Sequence, residues 1–90
     1  MDKALKDIVV LDLTHVLAGP YCTMVLADLG ARVVKIEPPW GDDSREFGPF
    51  IAPPDGQDLE SAYYISINRN KESLCLDLKS DEGKKIIWDL

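Results

Sequence analysis

Two cysteines and one histidine in 90 residues leave little material for metal or thiol chemistry. Cys22 and Cys75 stand far apart, with no CxxC pair and no zinc-finger spacing. His15 is the single histidine, and neither an EF-hand loop nor HExxH is present, so no metal is expected. No apolar run approaches the roughly 18 residues of a membrane span, so no membrane partner is expected. Residues 1–7 are charged and lead straight into a strand-like run, with no visible signal peptide. That and the two cysteines, both in apolar surroundings and expected as reduced, buried packing residues, point to a reducing, cytoplasmic compartment.

Positive charge is also scarce. Ten basic residues face sixteen acidic ones, a net charge of −6. Seven acids and only Arg45 lie between Glu37 and Glu60, so that stretch carries the whole excess. A nucleic-acid binder needs the opposite balance, and no nucleic acid is expected as partner. Complete catalytic signatures are missing too: no GxSxG elbow, no GxxxxGK[ST] loop, no GxGxxG after the first strand.

The pattern that is present is α/β. Residues 8–13 form a short apolar, β-branched run of the kind buried on both faces in a parallel sheet. A turn over 14–19 follows, then Pro20, suited by its fixed φ to the first helical position. Cys22, Val25, Leu26 and Leu29 fall at i, i+3, i+4 and i+7, predicting a helix face, and Gly30 sits where a left-handed cap belongs. Residues 32–37 read as a second strand, completing a βαβ unit.

Residues 38–57 hold five of the six prolines and three of the six glycines. They are expected to form an exposed acidic loop without regular structure, either functional or a plain connector. A short helix is expected within 59–67, a polar turn at 68–71, and a third strand at 73–78. Ser80 is a good N-cap for a helix over 81–90, with Asp81 and Glu82 in its first turn. The terminal Ile86, Ile87, Trp88 and Leu90 have nothing in the sequence to cover them. Residues 1–90 are therefore expected to be the N-terminal piece of a longer chain, or to pair with another polypeptide.

In open parallel sheets, ligands bind beyond the carboxyl ends of the strands, where a helix N-terminus favours anions. That puts weight on the turn 14–20 and on the third strand's end, Leu76, Asp77, Leu78 and Lys79, where a phosphorylated ligand could meet backbone groups and Lys79. An ordinary strand end with an exposed lysine is the plain alternative. His15 is either a general base, a ligand contact or, as lone turn histidines more often are, a backbone hydrogen-bonder. Asp12 is expected to accept hydrogen bonds rather than do chemistry. Asp42 and Asp43 read as solvated surface charge, and Tyr63 and Tyr64 as packing residues.

Several ordered blocks together closely resemble the N-terminal portion of the class III coenzyme A transferases, the CaiB/BaiF family. They are Val10-Leu11-Asp12-Leu13-Thr14-His15-Val16-Leu17-Ala18-Gly19-Pro20-Tyr21-Cys22-Thr23, Asp28-Leu29-Gly30-Ala31, Val34-Lys35-Ile36-Glu37-Pro38-Pro39, Gly41-Asp42-Asp43, Asn68-Arg69-Asn70-Lys71, Leu76-Asp77-Leu78-Lys79 and Glu82-Gly83. The resemblance implies a Rossmann-like parallel sheet with flanking helices and residues 1–90 as part of a CoA-binding domain. It also implies an interlocked homodimer that transfers coenzyme A from an acyl-CoA thioester to a small carboxylic acid. Coenzyme A enters as substrate; no prosthetic group is implied. The family's nucleophilic aspartate, which takes the acyl group as a mixed anhydride, lies well downstream, so no catalytic residue is expected here and the segment should not act alone.

The family's CoA contacts that map here are Leu17, Ala18, Leu76, Asp77, Leu78 and Lys79. His15 and Tyr63 match residues near the acyl pocket of formyl-CoA transferases. Members with arginine at position 38 use it toward a phosphate; Pro38 removes that cation. Formyl-CoA transferases carry glutamine where this chain has Leu17, which argues against an oxalate-like acid. An α-methylacyl-CoA racemase shares the fold and is one alternative, and a non-catalytic CoA-binding or assembly module is another.

Overall fold

The computed structural model describes residues 3–52 and 59–90. Three strands, β1 (Val9–Asp12), β2 (Arg32–Glu37) and β5 (Lys71–Cys75), form a parallel sheet in the order β1-β2-β5. Register runs Val9 to Arg32 and Asp12 to Lys35 on one side of β2, and Val33 to Lys71 and Glu37 to Cys75 on the other. Parallel pairing requires crossovers, which helix α1 (Ala18–Asp28) and the segment ending in helix α2 (Ala62–Ile67) supply. Helix α3 (Asp81–Asp89) closes the described chain, and β3 (Phe50–Ile51) pairs antiparallel with β4 (Glu60–Ser61).

Strand alternation gives the central strand two different faces. Val33, Lys35 and Glu37 are buried on the face that α1 covers, while Val34 and Ile36 point to the opposite one. The apolar core is small: Ala27, Ala31 and Val33, with Leu5, Val10 and Leu26 packed around them. Burying Val33 contributes about 1.5–3 kcal/mol by removal of its side chain from water.

Helix α1 begins at Ala18, so Pro20 is its third residue rather than its first. Its missing N–H still falls among the first four amides, which have no intrahelical acceptor. The buried face is Pro20, Thr23, Met24 and Ala27, one step round from the expected stripe. Val25 and Leu29 are exposed, as are both cysteines, against expectation. The shift follows from Thr23, whose hydroxyl is drawn inward to the Asp12 carboxylate at 2.7 Å. The helix ends as expected at Gly30 (φ +105°): the amides of Gly30 and Ala31 bond Ala27 and Leu26 carbonyls at 3.0 and 3.1 Å, a Schellman pair that needs a left-handed residue.

The segment after β2 is more ordered than its composition predicts. A 3₁₀ turn covers Asp43–Glu46 and a short strand follows at Phe50–Ile51, so the expectation of no regular structure is corrected there. Asp42 and Ser44 are buried, correcting the reading of Asp42 as solvated charge. Residues 53–57 of the expected loop lie outside the described residues. The third strand starts at Lys71 and ends at Cys75, earlier than the expected 73–78. Its register is set by Lys71, whose ammonium is drawn to Asp12. Leu76 makes the last ladder bond, to the Glu37 carbonyl at 2.9 Å.

Candidate functional site

A cavity of about 300 Å³ lies beyond the carboxyl ends of β1, β2 and β5, where open parallel sheets bind ligands. Leu13, Ile36, Leu76 and Leu78 give it an apolar floor; Pro38 and the exposed Trp40 stand at its rim beside His15, Asp43, Asp77 and Lys79. Its volume is at the low end for ligand pockets. The residues 76–79 owe their shape to Asp77. Its carboxylate accepts from the Lys79 amide at 3.0 Å, and its carbonyl accepts from the Ser80 amide and hydroxyl at 3.1 and 2.7 Å. The Ser80 hydroxyl then caps α3 by accepting from the Gly83 amide at 3.0 Å. Gly83 packs so closely that a Cβ there would lie 2.0 Å from the Asp77 carbonyl oxygen.

The turn between β1 and α1 forms the opposite wall. Val16 sits at φ +68°, an uncommon conformation for a β-branched residue that costs about 1–3 kcal/mol. Three contacts hold it. Asp12 accepts from the Thr14 amide at 3.0 Å and from its hydroxyl. Lys35 donates to the Thr14 carbonyl at 3.0 Å. The Asp42 carboxylate accepts from the Val16 amide at 3.2 and 3.3 Å. Lys35 and Asp42 are themselves an ion pair at 2.9 Å with side chains 1% and 0% exposed. A second buried pair, Lys71 with Asp12 at 3.0 Å, ties β5 to the same turn.

Hydrogen bonding decides the charge of these acids. Burial alone would raise the Asp42 pKa; the Ser44 amide, Lys35 and the Ser44 hydroxyl outweigh it and hold the group at about 2. Burial opposes Glu37 likewise, but Arg45, Tyr64 and the Asp42 amide bring it to about 2. Asp12 is lowered on balance, burial being overcome by Thr14, Thr23 and Lys71. Arg45 forks onto Glu37 with two bonds of 2.8 Å and lies 3.9 Å over the Tyr64 ring. Tyr64 donates its hydroxyl to Glu37, and burial together with that carboxylate raises its pKa.

The structure thus gathers His15, Leu76, Asp77, Leu78 and Lys79 at one cavity. Leu17 and Ala18 start α1 beside it but do not line it. Tyr63 does not line it either; it meets the Phe47 ring edge-on at 5.3 Å. His15 lines the cavity beside Leu13. Sequence reasoning missed Asp42 and Lys35. A lysine inside the β-branched run of β2 was the available signal, since it has to find a buried partner. Among the described residues, no three His, Cys, Asp or Glu side chains converge to hold a metal ion, and no helix is long and apolar enough to cross a membrane. The cavity pairs apolar walls with one cation, Lys79, and two acids, Asp43 and Asp77.

Residues 5–90 match the model of CoA-transferase family III. The chain is 53% identical over 87 residues to a succinyl-CoA:mesaconate CoA-transferase of Haloarcula hispanica, which covers 97% of this chain and 22% of that protein. It is 50% identical over 90 residues to a human succinyl-CoA:glutarate CoA-transferase, covering 98% of this chain and 19% of the relative. A solved CaiB/BaiF family protein from Brucella suis superposes with a TM-score of 0.87 at 38% identity, over 97% of this chain and 23% of that one. The chain spans about a fifth of the length of the curated relatives it matches.

Proposed function

The chain belongs to CoA-transferase family III, and from that premise we propose that it is the N-terminal part of an enzyme moving coenzyme A from an acyl-CoA thioester to a carboxylic acid. The observation that carries this reading is the cavity at the strand ends, which brings together Leu76, Asp77, Leu78 and Lys79 with His15. The apolar floor takes an apolar portion of the ligand, Asp77 shapes the backbone around it, and the Lys79 ammonium meets an anionic group. A carboxylate from outside residues 1–90 attacks the thioester carbonyl, expelling coenzyme A thiolate and leaving a mixed anhydride. Leu17 and Ala18 join the site as contacts at the start of α1, and Tyr63 serves the acyl end. Relatives acting from succinyl-CoA on mesaconate or glutarate make dicarboxylic acids the first acceptors to try.

An interlocked homodimer and a cytoplasmic location belong to the same reading. The exposed Tyr21 and Val25 on α1, with Leu29 at its C-cap, support a covered surface in the assembly, and two free cysteines support a reducing compartment. The test is isotope transfer by the complete polypeptide that carries these residues. Labelled glutarate or mesaconate should appear as its CoA thioester when succinyl-CoA is supplied. Exchange of an α-hydrogen with solvent in the absence of any acceptor acid would instead indicate a racemase. CoA binding with neither reaction would indicate a binding module.

A further inference from the structure

We propose that Asp42 is a positioning residue for the acyl-CoA site: its buried carboxylate, neutralised by Lys35, holds the left-handed turn at Val16 and so fixes His15 and Leu17. The proposal rests on the transferase reading for its ligand, while the geometry stands apart from it. Asp42 lies on the segment after β2, twenty-six residues from Val16, yet both its oxygens reach the Val16 amide. The same carboxylate accepts from the Ser44 amide and hydroxyl at 2.9 and 2.8 Å, which fixes where it points. Lys35 completes the clamp by bridging Asp42 and the Thr14 carbonyl, so the turn is gripped on both sides of His15.

A salt bridge serving only to join β2 to the following segment would not need to reach the turn. Here the reach coincides with the one place in the turn where the backbone adopts a conformation that its own side chain disfavours. With the carboxylate's grip weakened, Val16 returns to negative φ, His15 swings away from the cavity and Leu17 shifts at the start of α1. Glycine occupies φ near +68° at no steric cost, which separates holding the turn from merely stabilising the fold.

The experiment uses the complete polypeptide and two readouts, the KM for acyl-CoA in transfer and amide exchange over residues 14–18. In Asp42→Asn, whose amide keeps one acceptor oxygen but must turn its NH2 either toward Lys35 or toward the Ser44 donors, exchange in 14–18 should quicken and the KM should rise about tenfold, equivalent to about 1.4 kcal/mol, with kcat changing less. Adding Val16→Gly to Asp42→Asn should return most of that KM. An unchanged KM and unchanged exchange in a folded Asp42→Asn would overturn the proposal, as would a raised KM that Val16→Gly does not recover. If Asp42→Asn fails to fold, Val16→Pro takes its place: it removes the positive φ and the amide donor and leaves the Lys35–Asp42 pair intact. A raised KM then supports the clamp, and an unchanged KM overturns it. Wild-type protein that transfers no CoA would contradict the transferase reading alone, because the exchange experiment still reports whether Asp42 holds the turn.

Discussion

Each buried charge among the described residues has a partner, so removing one partner should cost more than its contact area suggests. Asp12 accepts from Thr14, Thr23 and Lys71 while fully buried. Asp12→Ala should destabilise the protein by about 3 kcal/mol, because it leaves the buried Lys71 ammonium without its counter-ion, held only by the Pro20 carbonyl and the Asn68 side chain; urea unfolding would measure it. Glu37 and Asp42 give a pH signature. Both fall to about 2 from ordinary values of 4.5 and 3.8. Their folded values lie below their unfolded ones, so the stability they add is complete above about pH 5 and is lost as pH falls toward about 2. Thermal midpoints across that range should be flat above and drop below; a flat profile down to pH 2 would contradict the assignment. Asp12 as an acceptor was legible because a lone acid in an apolar strand has to be satisfied. Asp42 was not, since its partner Lys35 lies across a chain reversal and local composition marks the segment as polar.

Elements were read better than their faces and limits. The span of β2, the Gly30 cap and the Ser80 start of α3 each follow from local chemistry, and each is found. The buried face of α1 differs from its apolar stripe because Val25, and Leu29 at its C-cap, point outward, while Thr23 turns inward to a carboxylate beyond the reach of periodicity. The start of β5 was missed for a related reason: Lys71 looks like turn but is anchored by Asp12. Element contacts also shape the site. Gly83→Ala would push a methyl group into the Asp77 carbonyl, so it should displace residues 76–79 and weaken coenzyme A binding, measurable by calorimetry. Lys79→Ala leaves the backbone alone and should cost about 1.5 kcal/mol of that binding, roughly tenfold, at the low end for a charged hydrogen bond because its ammonium is exposed.

At the scale of the whole molecule, the sheet has one face well used and one less so. The side toward α1 holds the core and both buried ion pairs. The other carries a cavity of about 480 Å³ among Val9, Leu11, Val34, Leu74 and Leu90, and Trp88 on α3 is 85% exposed. This chain spans 23% of the solved family member it superposes on; its βαβ start, a candidate ligand edge at the strand ends and the uncovered apolar end of α3 were all readable in the sequence. Coenzyme A is proposed to seat at the carboxyl ends of the three parallel strands. Amide hydrogen exchange of the complete polypeptide, with and without coenzyme A, tests it most directly. Slowed exchange concentrated in residues 13–18 and 76–79 is the predicted result, and unchanged exchange in both segments at saturating coenzyme A would contradict it.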